Sequence, residues 1–477
     1  MENIVIELSR YIIIILVTIY TLYCFTVFRS GSKVRQNRIF FKQIVLMYLI
    51  HFICSAVLFL ETFNPKIIIL YMLEVAFFAV VLSVYKVVYR NLSRLVLNNM
   101  LMLLMFSFIM LTRLSYSLVV RQFTIASVSL AICLIVPFII DRFKYLSKLG
   151  YLYAALGIML LLVVLAFGRM KYGATNWIYF GSLGSIQPSE FVKILFVFFV
   201  ASLLSKTTNF KQVVKVSIIA AIHVIILVLE KDLGGALIFF VTYLMMVYVA
   251  SRQILYLITG LLGGSFASYI AYKLFSHVKV RVMAWQDPWS RIDSEGYQVT
   301  QSLFAIGTGG WFGMGLGKGL PSSIPVVESD FVFSAISEEL GGVTAVCLIL
   351  ICLSCFIMFI NIAMKMKRQF YKLTALGLGI IYGFQVFLTI GGVTKLIPST
   401  GVTLPLVSYG GSSVLSTIVI FCIIQGLYVL NQNEGDEFGK NKKRKQKQQK
   451  VRSQEKVIRE PQEKVVREQW SNEAEHQ

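Results

Sequence analysis

The sequence predicts an all-α, polytopic membrane protein, and three observations carry that reading. Of 477 residues, 57% are hydrophobic and only 14% are charged, where soluble domains carry roughly 25%. Apolar runs long enough to cross ~30 Å of hydrocarbon recur along the chain. The basic residues gather in short segments between alternate runs, as they do when charge sets membrane orientation. The net charge of +21 therefore points to topology, and no nucleic-acid partner is expected.

Taken in order, the runs fall near 11–29, 41–61, 66–88, 98–113, 123–140, 148–168, 189–205, 213–229, 233–250, 254–275, 341–363, 372–393 and 414–431. That predicts about thirteen transmembrane helices. The opening MENIVIELSR places two Glu before its Arg, and no small-residue cleavage site follows, so the first run is expected to stay as a span. The segments RSGSKVRQNR, YKVVYR, DRFKYLSK, SKTTNFKQVVK, MKMKRQFYK and the tail are basic and fall on one side. MENIVIE, ETFNPK, EKD and the long segment 276–340 fall on the other. The positive-inside rule makes the first set cytoplasmic, which places the N-terminus and 276–340 outside.

Segment 276–340 is the one long loop expected before the tail, and long loops in compact proteins usually carry function. A second outer loop, VTKLIPSTGVTLPLVSYGGSS (393–413), holds two prolines and three glycines. Its composition excludes a plain helix and suggests a re-entrant or surface-lining segment. The tail from about residue 433 contains KNKKRKQKQQK and a repeat, QEKVIRE then QEKVVRE. Such a stretch suits anionic lipid or a solvated, disordered tail about equally.

All seven cysteines lie in apolar runs and read as small core residues. The four histidines form no cluster, so no His-based metal site is expected.

Four polar stretches remain, all on the expected outer side. GATNWIYFGSLGSIQPSEFVK (173–193) sets Pro188 and Glu190 at a helix start, with Lys193 one turn on from Glu190. EKDLGGAL (230–237) puts Asp232 at the next helix start, where capping and function compete. KVRVMAWQDPWSRIDSEGYQVTQSLFAIGTGGWFGMGLGKG (279–319) ends in a Gly-rich run; without a preceding strand it is weak evidence for a phosphate cradle. VVESDFVFSAISEELGG (326–342) sets Asp330 between Ser329 and Phe331 at a membrane boundary, where a charge is costly unless solvated, paired or used.

Read in order, GA-x-x-WI, QPSE-F-x-K, DLG-x-AL, RV…DP, GYQ-x-x-QS-x-x-AIG-x-GG, SDF-x-F-x-x-x-x-EELG and LPL-x-SYGGSS resemble the SEDS family across about residues 98 to 431. These are the shape, elongation, division and sporulation proteins represented by RodA and FtsW. The resemblance implies a ten-helix core preceded by three extra spans: an N-terminal segment (1–90), a glycosyltransferase core (91–432) and a basic cytoplasmic tail (433–477). It implies a peptidoglycan glycosyltransferase that polymerises lipid II at the outer leaflet, beside a class B penicillin-binding protein and divisome or elongasome components. It makes Asp330 the catalytic residue. Residues of the matching motifs expected to bind substrate are Arg281, Lys193, Glu190, Gln187, Trp177, Asp232, Lys318 and Lys395. It implies no certain cofactor and leaves open whether a divalent cation, Mg or Mn, is needed.

Three departures bear on substrate contacts. Asn176 stands where the family pattern has Arg, Lys231 where it has Pro, and Glu328 displaces the Glu common just after the loop proline. The competing expectations are a lipid-precursor flippase or transporter, favoured by charges within the bundle, and a scaffold that only recruits a penicillin-binding protein. No internal repeat between the two halves supports the transporter.

Overall fold

The structure is a computed structural model that describes residues 2–171, 174–179 and 185–435. Gly173, the polybasic stretch and the tail repeat lie outside the described residues. Met1–Tyr428 is one compact unit and Val429–Gln477 a second.

Twelve described helices are long and apolar enough to cross a membrane. They include α1 (Glu2–Arg29), α2 (Lys33–Thr62), α3 (Pro65–Val88) and α4 (Arg94–Leu114). The next span joins α5 (Tyr116–Cys133) to α6 (Val136–Arg142), and α7 (Gly150–Phe167) follows. Then come α9 (Phe210–Leu229), α10 (Leu233–Ser251), α11 (Ile254–Leu274), α14 (Val332–Lys365), α15 (Gln369–Val393) and α16 (Gly411–Gly435). The seventh expected run forms α8 (Ser189–Leu204), only 16 residues long. Nearly all of it is buried, and it still runs between the two ends of the bundle: the Gln187 amide before it donates to Ser412 at the start of α16, and Ser202 near its end donates to the Ser147 carbonyl ahead of α7. The expected count of about thirteen thus divides into twelve long spans and one short buried helix.

Burial follows composition. Every residue of α4 from Leu95 to Leu111 is buried, as a helix apolar all round requires, and α4 packs against α2, α5 and α14. In contrast α11 has no buried residue and packs mainly on α10.

Two segments expected as loops carry structure. Three short strands, β1 (Arg169–Lys171), β2 (Ala174–Tyr179) and β3 (Ser185–Ile186), pair as an antiparallel sheet in that order. The Thr175 amide donates to the Glu230 carbonyl at 2.9 Å and ties the sheet to the end of α9. Segment 276–340 carries α12 (Ser276–Gln286), α13 (Tyr297–Gly309), two short 3₁₀ turns and the start of α14.

Helix α14 begins ahead of its expected span and is broken at Gly341 (φ 84°, ψ 164°). A break frees backbone groups that must find partners. The Gly-rich stretch after α13 supplies them. Gly342 and Val343 amides donate to the Gly310 and Trp311 carbonyls, while Met314 and Gly315 amides donate to Glu338 and Glu339 carbonyls at 2.8 and 2.9 Å. A Cβ at Gly341 would lie 2.5 Å from the Gly313 nitrogen, so only glycine fits. These amides are used inside the fold, and the run is a plug for a broken helix, not a phosphate cradle.

Candidate active site

Asp330 sits in the turn that enters α14. The amides of Ser329 and Asp330 both donate to the Val326 carbonyl, with Val326 in the left-handed region (φ 59°). The loop after α15 latches this turn in place. Tyr409 N donates to the Glu328 carbonyl at 2.8 Å, and the Ser408 hydroxyl donates to the Ser329 carbonyl. Phe331 and Phe333 are buried on either side of Val332. Asp330 keeps partial exposure, but crowding by protein atoms raises its carboxyl above the usual range. The Ser329 hydroxyl, donating at 2.9 Å, and the Arg281 charge oppose that rise, while Glu328 adds to it.

Arg281, on α12, donates from Nη1 to the Ser399 carbonyl at 3.2 Å. Burial lowers its pKa, and the charges of Asp330 and Asp232 oppose the drop. Asp330 and Arg281 meet at Gly401, whose φ of +71° favours glycine. A Cβ there would stand 3.6 Å from Asp330 Oδ2 and 3.7 Å from Arg281 Nη2. The irregular 394–410 loop thus brings a carboxylate and a guanidinium to one point.

Asp232 takes the capping role expected of an acid at a helix start. It caps α10 by accepting from the Gly235 amide at 2.8 Å, and its other oxygen accepts from Asn176 at 3.1 Å and Gln187 at 3.4 Å. Asn176, in the place of the family's Arg, thus acts as a neutral donor to Asp232. Asn176, Gln187, Asp232, Gly401 and Thr403 line a small polar cavity with Glu190 and Lys193.

Lys193 is buried and internally matched: its ammonium lies 2.9 Å from Glu190 and donates to Gln385 at 2.8 Å. Glu190 also accepts from Ser416 at 2.7 Å. Breaking such a pair typically costs about 3–5 kcal/mol, so Lys193 and Glu190 brace the cavity. Trp177 lies in β2, in register with Arg169. Lys395 adopts a left-handed backbone (φ 59°), and its carbonyl accepts from the Trp285 indole at 3.1 Å. Lys318 points elsewhere, pairing with Glu61 at the end of α2 at 2.8 Å.

Sequence reasoning passed over Gly401, Gln385 and Glu230. Glu230 is buried, neither carboxylate oxygen has a hydrogen-bond partner, and burial with Asp232 nearby pushes it up to about 8. Its only signal in the sequence was the acid two positions on. Among the described residues no group of three His, Cys, Asp or Glu side chains could hold a metal.

A helical bundle that brings a raised carboxylate and a half-buried guanidinium beside a polar cavity presents the candidate site of a membrane-embedded enzyme. The chain belongs to the family described as cell cycle protein (FTSW_RODA_SPOVE), which matches residues 89–433. It is 37% identical over 313 residues to the peptidoglycan glycosyltransferase RodA of Mycobacterium leprae, covering 62% of this chain and 67% of that protein. It is 33% identical over 298 residues to the probable peptidoglycan glycosyltransferase FtsW of Buchnera aphidicola, covering 59% and 82%. Its fold resembles a chain from a peptidoglycan synthase complex, with TM-score 0.61 and 25% identity over 71% of this chain and 97% of that one. It also resembles the rod shape determining protein RodA of Thermus thermophilus, with TM-score 0.54 and 25% identity over 71% and 96%. The protein is a multi-pass bacterial membrane glycosyltransferase. Helices α1–α3 precede the family match.

Proposed function

We propose that this chain polymerises lipid II into glycan strands at the outer leaflet, with Asp330 as general base. The meeting of Asp330 and Arg281 at Gly401 carries the assignment. In this reading the acceptor sugar hydroxyl attacks the anomeric carbon of the donor. Its proton passes to the Asp330 carboxylate, and the bond from that carbon to the lipid pyrophosphate breaks. The pyrophosphate leaves as an anion, so a cation can take the place of an acid. Arg281 is the cation beside the base and can offer a bidentate contact. The α-linked donor becomes a β-linked product, an inversion for which one base on the face away from the leaving group suffices, by analogy with inverting glycosidases.

A class B penicillin-binding protein is the proposed partner, supported by the family resemblance and by the structural neighbour's place in a synthase complex. The test is polymerisation of purified lipid II by this protein, with and without a co-expressed partner. Glycan product supports the reading, while lipid II translocation without polymer would replace it with a flippase. The outer placement is checked by labelling Ser294→Cys in a cysteine-free background. Labelling only from the cytoplasmic side would overturn it.

The surroundings of Asp330 also set a pH dependence. A base acts in its ionised form, so the rate should fall as pH drops through the Asp330 pKa. Ser329→Ala removes a hydrogen bond that favours the carboxylate, so the acid limb should move to higher pH. Glu328→Gln removes a like charge and should move it to lower pH. Rate profiles of the two variants, shifting in opposite directions, are the expected result.

A further inference from the structure

The helices that precede the family match reach the active-site region through the Gly-rich plug. The Lys318 ammonium on the plug lies 2.8 Å from the Glu61 carboxylate on α2. Arg10 on α1 donates to the Gly313 carbonyl at 3.2 Å, and Tyr11 packs its ring 5.9 Å from that of Phe312. From the opposite side the plug is gripped by the first half of α14. The Gly317 amide donates to Glu339 at 3.1 Å and the Leu320 amide to Glu338 at 2.9 Å. Arg113 pairs with Glu339 at 2.9 Å and donates to the Gly317 and Gly319 carbonyls.

Gly317 is where the two sides meet. Its φ of +91° excludes most other residues. A Cβ on it would lie 3.1 Å from Glu61 Cγ, while its amide already serves Glu339. The mount behind Glu61 and Arg10 is firm. Tyr20 on α1 donates to Asn99 on α4 at 3.1 Å, Asn99 donates to Ser354 on α14 at 3.2 Å, and Asn98 donates to Gln43 on α2 at 3.1 Å, all buried. Satisfied buried polar networks rigidify the elements they join.

We propose that the N-terminal helices are a positioning element for this enzyme, with Glu61 and Lys318 its principal joint. The plug fills the break at Gly341, and the half-helix before that break begins one residue after Phe331, directly behind Asp330. Holding the plug therefore holds the half-helix that aims the carboxylate. The inference rests on the reading of Asp330 as base. It also gives Lys318 a role away from substrate. The pair is partly exposed, with side-chain exposures of 41% for Lys318 and 18% for Glu61, so its loss should little affect stability. Small misplacements of a catalytic group are nonetheless expensive in rate.

The test uses the full chain in proteoliposomes with lipid II, under the conditions that support wild-type turnover. Glu61→Gln and Lys318→Gln should each lower kcat about tenfold with KM near wild type, and leave the thermal midpoint in place. The reciprocal variant, Glu61→Lys with Lys318→Glu, should recover most of the lost kcat. Wild-type kcat in both single variants, or no recovery in the exchange, overturns the proposal. A raised KM with unchanged kcat in Lys318→Gln would return Lys318 to substrate binding and overturn it equally. Asp330→Asn run alongside separates the two readings: if it is active the base assignment fails, whereas if it is dead and Glu61→Gln is unimpaired only the positioning role fails.

Discussion

Asp330→Asn should insert and fold normally and polymerise no measurable lipid II, a loss of at least about 10²- to 10⁴-fold in rate. The amide nearly matches the carboxylate in shape and can still accept from Ser329, 2.9 Å away. What it loses is the capacity to take a proton. Its surroundings are consistent with that task, since crowding raises the carboxyl while Ser329 and Arg281 keep the rise in check. The choice of control matters. Glu338 and Glu339 carry loop amides and the Arg113 ion pair, so amidation there would loosen the plug. Glu328 holds Tyr409 through its backbone carbonyl alone, and Glu328→Gln should stay active at neutral pH. Wild-type polymerisation by folded Asp330→Asn would reduce the carboxylate to a residue of the turn.

Arg281→Ala should cut lipid II use by about 10²- to 10³-fold, the range seen when a stabilising donor is removed from developing charge. Two effects separate it from a packing defect. Arg281→Lys should recover only part of the loss, because an ammonium keeps the charge but lacks the planar fork. The acid limb should also rise in Arg281→Ala, because a positive charge that favours ionised Asp330 is gone. An unchanged rate would remove Arg281 from the site. A reduced rate with an unmoved acid limb would separate it electrostatically from Asp330.

Several residues show how far a linear reading reaches. Asp330 stood out because a charge beside apolar spans needs an explanation, whereas Arg281 entered only as a residue of a motif resembling the family; both lie at Gly401. Lys193 was expected to bind substrate from its matching motif, yet its charge is matched by Glu190 and Gln385. The i,i+3 spacing exposed half of that answer, and Gln385 on α15 could not be guessed. Lys318 sat in a matching motif, but its carboxylate partner lies at the end of α2, outside the family match. Glu230 gave almost no signal, because nothing local reports that both its oxygens are buried without partners.

The sequence by itself determined where the apolar runs lie and set an expected order and orientation for them across the membrane. Length, apolarity and charge bias act over one helix at a time, and each can be counted along the chain. Only the tertiary structure decided that α14 breaks at Gly341, that the glycines of 310–315 fill the break, and that Asp232, Asp330 and Arg281 gather around the 394–410 loop. The reason is that buried backbone and charged groups must find partners wherever the fold brings them. Which partner a glutamate or lysine meets is a property of packing, and no spacing along the chain encodes it.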